Sequence, residues 1–279
     1  MRELHVQQLR VSDGRLPRVS PAEAPHDFPF DASANLEALL SHALKSLQRE
    51  WVACASAALL YVLVVDVGSI LISWASEVAM MGLVQLDVGA DWAPLRNESM
   101  TIILQLSLLP VQCLGSLGLT RMMLDVAMGR SPSAGRFFSQ MRLMPRALAI
   151  QLPFWLVMAS PSLANGARHT GSLGELFWFA FLPLFSVFGL SWWLFSIPEL
   201  VISDCSAFDA MARGFSLGGG AFQRGRVFGY AVLAGLLALA GVLACSVGVL
   251  GGLPFGSLLV LTLYLALRKS SSLPAPAAL

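Results

Sequence analysis

The chain has 279 residues, of which 56% are hydrophobic and 13% charged, with a mean hydropathy of +0.69. Globular domains carry about 25% charged residues, and 18 basic with 17 acidic side chains cannot coat a soluble fold of this length. This excludes a disordered chain, a coiled coil and an ordinary cytosolic enzyme, and leaves an all-α integral membrane helical bundle.

Residues 1–32 are polar, rich in Pro and charge, and lack an apolar core segment. They read as a flexible cytoplasmic tail and not as a classical signal peptide. Residues 33–50 place Leu36, Leu39, Leu40, Ala43, Leu44 and Leu47 at helical spacing, with Glu37, Lys45, Gln48 and Glu50 on other faces. This predicts an amphipathic helix lying in the inner interface, started by Asp31 or Ser33.

Residues 51–268 form the transmembrane domain. A spanning helix needs about 20 apolar residues. Trp51 to Ser76 contains one charge, Asp66; the runs 99–120, 147–167 and 176–198 contain none. Val227 to Leu267 is charge-free for 41 residues, too long for one span. Gly251-Gly252-Leu253-Pro254 reads as a turn dividing it, with a short last span over 255–267. Six spans result, and residues 269–279 are left as a cytoplasmic tail.

Orientation follows the positive-inside rule. With the N-terminus inside, sixteen of the eighteen basic residues fall on the inner side and only Arg96 and Arg168 outside. Both termini are therefore expected in the cytoplasm, as in a multi-pass protein of a bacterial inner membrane. Trp74, Trp92 and Trp178 fall near the outer interface and Trp51 near the inner one, as in an aromatic belt.

Basic, Phe-containing segments precede spans three and five, as the amphipathic helix precedes span one. Phe137, Phe138, Met141 and Met144 sit among Arg136, Arg142 and Arg146; Phe208, Met211 and Phe215 sit near Arg213, with Arg224 and Arg226 following. Such residues favour anionic lipid headgroups, at about 1 kcal/mol each. The chain can thus be written three times as interfacial helix, outward span and return span. This is either a weak threefold hairpin repeat or the ordinary appearance of basic cytoplasmic loops.

Asp66 is the single acid deep in a span, and an intramembrane ionisable group is by default a functional candidate. Gln105 and Ser107 come at similar depth on span two, with Gln112 two turns on. A structural Asp66–Gln105 hydrogen bond is the favoured reading, and a proton or ion site the alternative. Pro110, Pro153, Pro183 and Pro198 kink spans without requiring a binding site, although broken helices also build transporter sites. The stripe Ala231, Gly235, Ala240, Ala244 and Gly248 is a small-residue packing face, expected to meet span six within one hairpin or a second copy of the chain.

The remaining motifs are negative. Gly214-Phe215-Ser216-Leu217-Gly218 has the G-x-S-x-G pattern but lacks a strand before it. Cys54, Cys113, Cys205 and Cys245 are widely spaced, which suits packing and not a metal site or disulfide framework. No cofactor, metal or nucleic-acid partner is implied. The bilayer and its anionic headgroups are, and a membrane protein partner or a second copy is compatible.

A family likeness lies in Leu109-Pro110-Val111-Gln112, then Gly115, Gly118 and the run 125–130, in 198–204, in 207–216 and in 241–248. These segments resemble a group of bacterial multi-pass proteins related to the membrane-anchor domain of glycerophosphodiester phosphodiesterases, without the phosphodiesterase domain. The likeness spans about residues 33–268 and implies the fold, while no active-site residue carries over. Asp204 and Ser216 match recurrent positions of that group, where capping of the interfacial helix is the simplest role. The expected function is a non-enzymatic scaffold or accessory subunit. The alternatives are a transporter component using Asp66 and kinked helices, or a membrane-embedded enzyme acting on lipid.

Overall fold

A computed structural model of the chain describes residues 28–30, 33–85, 93–166, 192–219, 221–243 and 246–271. All regular structure among these residues is helical. The elements are α1 (Leu36–Arg49), α2 (Trp51–Val62), a π-helical turn (Leu63–Val67), α3 (Gly68–Gln85), α4 (Ala93–Ala127), α5 (Ala134–Phe138), a short 3₁₀ turn (Met141–Leu143), α6 (Met144–Gly166), α7 (Trp192–Ser203), α8 (Ala207–Leu217), α9 (Ala221–Leu243) and α10 (Ser246–Ser270).

Among the described residues, three helices are long and apolar enough to cross a membrane: 51–78, 223–241 and 248–270. They differ in what surrounds them. The apolar window of the third is 56% buried, against 11% and 22% for the first two. A helix apolar on every side and buried on most of them belongs inside a bundle. Accordingly α10 packs against α1, α2, α4, α8 and α9, with Leu258, Leu259, Tyr264 and Leu265 sealed from solvent. The other two helices turn Val52, Ile70, Leu71, Trp74, Leu236 and Leu239 outward, an exposed apolar band that suits lipid and not water.

The helices alternate in direction. At one end of the bundle α4, α7 and α10 finish, and α2, α6 and α9 begin. Cross-contacts fix this. Arg146, near the start of α6, donates to the backbone carbonyl of Asp204 just past α7. Arg226, near the start of α9, donates to the Ala34 carbonyl before α1. Lys269, at the end of α10, donates to the Phe28 carbonyl at 2.6 Å. We call this the charged end.

Helix boundaries there follow from local chemistry. α1 starts at Asn35, whose side chain accepts from the Ala38 amide, and not at Asp31 or Ser33 as expected. Asn35 is the last short polar residue before the apolar periodicity, so its carbonyl oxygen reaches the free amides. α4 stops in a Schellman motif: the Gly129 amide donates to the Val126 carbonyl, and the Arg130 amide to the Asp125 carbonyl. Gly129 has φ +75°, a conformation glycine adopts without a steric penalty. His42 and Arg49 of α1 hydrogen-bond to the freed Ala127 and Val126 carbonyls at 3.2 Å. The amphipathic helix thus caps the end of another helix as well as presenting Leu36 and Leu44 outward.

The expected turn at 251–254 is absent. Gly251, Gly252 and Pro254 lie within α10; α9 ends at Leu243 and α10 begins at Ser246. The last apolar helix therefore begins nine residues earlier than the 255–267 span expected from composition. The glycines serve contact instead. A Cβ on Gly252 would lie 2.7 Å from the Leu237 carbonyl oxygen and 2.9 Å from Gly241 Cα, and one on Gly241 2.5 Å from the Gly248 carbonyl oxygen. α9 and α10 therefore touch backbone to backbone, as small residues permit in membrane helices.

Candidate functional site

Three carboxylates at the charged end tie neighbouring elements together. Glu199 of α7 is wholly buried. It accepts from the Tyr264 hydroxyl at 2.6 Å, from the Ser203 hydroxyl at 2.5 Å and from the Arg213 guanidinium at 3.3 Å. Arg268 lies 3.4 Å away and also donates to the Tyr264 and Ser203 hydroxyl oxygens. One carboxylate thereby ties α7, α8 and α10 together. The geometry has a sequence cause: Glu199 and Ser203 are four residues apart on α7, and Tyr264 and Arg268 four apart on α10, so each pair shares a helix face.

Asp125 of α4 is also wholly buried. It pairs with Arg121 one turn earlier at 3.5 Å and with Arg136 of α5 at 3.0 Å. Asp204 differs: it is 44% exposed and held by Arg142 at 2.9 Å and Arg146 at 2.7 Å. Its φ of +46° ends α7, a conformation that Asp tolerates better than most residues. Exposed pairs of this kind are worth about 0–1 kcal/mol each. Asp204 therefore aims α6 at the α7–α8 junction and does not cap α8. That cap is Ser206, whose hydroxyl accepts from the Asp209 amide and donates to the Asp209 carboxylate. Ser216 donates to the Arg213 carbonyl within α8.

The six interfacial arginines expected to face lipid headgroups are thus engaged within the protein. Arg136, Arg142, Arg146 and Arg213 pair with acids as above, Arg226 holds the Ala34 carbonyl, and Arg224 stacks over the Phe215 ring at 4.1 Å. Arg136, Arg142 and Arg146 nonetheless keep 44–54% of their side-chain surface exposed.

Among the described residues the intramembrane polar candidates do not share one site. Asp66 lies in the π-helical turn and is exposed, as are Ser107 and Gln112. Gln105 lies on α4, but its side chain is outside the described residues, so the expected Asp66–Gln105 bond is outside them too. The small-residue stripe is divided. Ala231 and Gly235 line a cavity, and a Cβ on Gly235 would meet nothing within 4 Å. Gly248 meets Gly241 on the α9–α10 contact, Ala240 is exposed on α9, and Ala244 lies outside the described residues.

That cavity, of about 430 Å³, lies between α2, α4, α6, α7, α9 and α10. It is lined mainly by apolar side chains, with Tyr61, Ser116, Thr120, Gln151 and Ser257 as its polar groups. Asp66 is not among the lining residues. Phe154 and Trp193, on α6 and α7, stack beside it with ring centroids 4.8 Å apart.

Among the described residues no group of three or more His, Cys, Asp and Glu side chains is placed to hold a metal. Cys54 and Cys113 are buried thiols. Cys205 sits between α7 and α8, where burial and then the nearby Glu199 charge push its thiol pKa up, against the opposing Arg213. Alkylation proceeds through the thiolate. Maleimide labelling of Cys205 at pH 7 should therefore be slower than for a free thiol and should accelerate as pH rises through 9, read by peptide mass spectrometry. Labelling at the free-thiol rate at pH 7 would contradict this environment.

No protein-family model matches the chain, and neither does any curated protein or solved structure.

Proposed function

We propose that the chain is a non-enzymatic six-span protein of the bacterial inner membrane, with both termini cytoplasmic, acting as a scaffold or accessory subunit of a membrane complex. The state of the carboxylates at the charged end carries this reading. Glu199 and Asp125 are buried and already matched by guanidinium groups, an arrangement that rigidifies helix ends and commits these two carboxylates to holding helices together. Alternating helix directions support six passes, and the excess of Lys and Arg at this end supports its cytoplasmic placement. α1, α5 and α8 precede α2, α6 and α9, which is the layout a threefold hairpin would have. Phe208 at 75% exposure and Phe138 at 42% would enter the headgroup layer, beside arginines that attract anionic lipid.

The test is capture of the tagged full chain from membranes in mild detergent. A membrane protein recovered in fixed stoichiometry, or a defined homo-oligomer, is the expected result. A reproducibly monomeric, partnerless protein would count against a scaffold.

A transport role is the second reading, and one observation favours it. Asp66 sits in a π-helical turn within an otherwise regular membrane helix, and such turns recur at functional sites. An Asp66→Asn variant separates the two readings. The scaffold reading expects unchanged partner recovery and phenotype, whereas a transporter would lose its activity with the fold intact.

A further inference from the structure

The cavity among the apolar helices is graded along its length. Helices rise about 1.5 Å per residue. Gln151 lies seven residues into α6 and Thr120 seven before the end of α4, so both are about 10 Å from the charged end. Ala238, seventeen residues into α9, is about 25 Å in. Tyr61, Ser116 and Ser257 follow at about 15–20 Å, so the polar lining occupies the part nearer the charged end and the described lining beyond about 20 Å is apolar.

Gln151 has an unfilled valence here. Its side chain is 6% exposed. Its carbonyl oxygen accepts from the buried Cys113 thiol at 3.1 Å, which turns the amide N–H₂ away from that contact. Among the described residues the N–H₂ group has no protein partner, and Gln151 lines the cavity. That group borders the cavity and is not sealed in protein; with hydrocarbon filling the cavity, a donor left without an acceptor costs about 1–3 kcal/mol, so an occupant that carries an acceptor is favoured there.

Among the described residues the lining includes no charged side chain, and the adjoining ionised clusters around Glu199 and Asp125 are internally matched. The occupant is therefore uncharged where it sits, mostly hydrocarbon, and carries one acceptor at the end nearer the interface. In a bilayer whose interfacial layer is about 5–8 Å deep on each side, that describes an acyl ester. We propose that the cavity holds one acyl chain of a bilayer phospholipid, with the ester carbonyl accepting from Gln151 and the chain running past Gly235 toward Ala238. Its volume of about 430 Å³ falls within the range of small-molecule sites, about 300–1,000 Å³. This rests on the chain lying in a membrane and is independent of whether it is a scaffold.

Gly235 gives a direct handle, because its missing side chain faces open space and not a neighbour. The full chain, delipidated in maltoside detergent, would be titrated with dioleoyl phosphatidylethanolamine and with its diether analogue, which lacks the carbonyls. Native mass spectrometry counts bound lipid. The wild type should retain one lipid per chain and prefer ester to ether about fivefold, the scale of one neutral hydrogen bond. Gln151→Leu should abolish the preference. Gly235→Leu should reduce occupancy at least tenfold, while Val52→Trp on the outer surface should leave it unchanged. Wild-type occupancy in Gly235→Leu, or equal ester and ether binding by the wild type, would overturn the proposal. If Gly235→Leu does not elute as a folded species, Ala231→Leu reads the same occupancy.

Discussion

Replacing Glu199 by Ala should cost about 3–5 kcal/mol of stability, among the largest effects of any single substitution in this chain. The reason is asymmetry. Arg268 is 6% exposed and Arg213 26%. Without the carboxylate, two guanidinium groups face each other with less solvent than they need, and the Tyr264 hydroxyl loses its acceptor. Glu199→Gln keeps an acceptor but removes the charge, and should fall between Ala and wild type. The pair Glu199→Leu with Arg268→Leu should recover much of the loss, because removing both charges also removes the desolvation cost. Asp204→Ala is the reference, since its partners are about half exposed and the expected cost is about 0–1 kcal/mol. Unfolding of the detergent-solubilised chain, followed by intrinsic fluorescence, reads all four. A Glu199→Ala variant as stable as Asp204→Ala would mean that this cluster does not hold α7 to α10.

The charge-free runs and helical periodicity were enough to read an all-helical membrane protein, because both depend only on local composition. The α1 amphipathic segment was legible for the same reason: its span of 33–50 contains the observed Leu36–Arg49. Glu199 was not. It falls one residue after Pro198, where the charge-free run ends, so nothing local marks it as buried. The helix runs on to Ser203, which keeps the carboxylate among packed helices. A signal existed in the two i, i+4 pairs, Glu199 with Ser203 and Tyr264 with Arg268, and in Arg121 with Asp125. Those pairs mark the faces that carry charge inward, but which faces meet is a tertiary fact. Asp66 shows the converse. Depth in a span suggested a buried, bonded acid, whereas rotation about the helix axis, which depth does not specify, leaves it exposed.

The same limit governs Gly251-Gly252-Leu253-Pro254, and there a substitution can separate the readings. In a loop, glycine supplies turn conformations; inside a membrane helix it supplies closeness. Gly252→Leu should destabilise the protein by about 3 kcal/mol or more, because the new side chain would displace the α9 backbone and not a flexible side chain. The smaller change to Ala makes the sign diagnostic. Ala is favoured over Gly in helix interiors by about 0.5–1 kcal/mol, so Gly235→Ala, with open space at its Cβ, should be neutral or stabilising. Gly252→Ala places a methyl 2.7 Å from the Leu237 carbonyl oxygen and should be destabilising despite the better propensity. Opposite signs for the same chemical change, measured in the same unfolding assay, would establish the backbone contact of α9 with α10. Equal, favourable values at both positions would mean that these helices do not meet there, and Gly252 would revert to an ordinary turn residue.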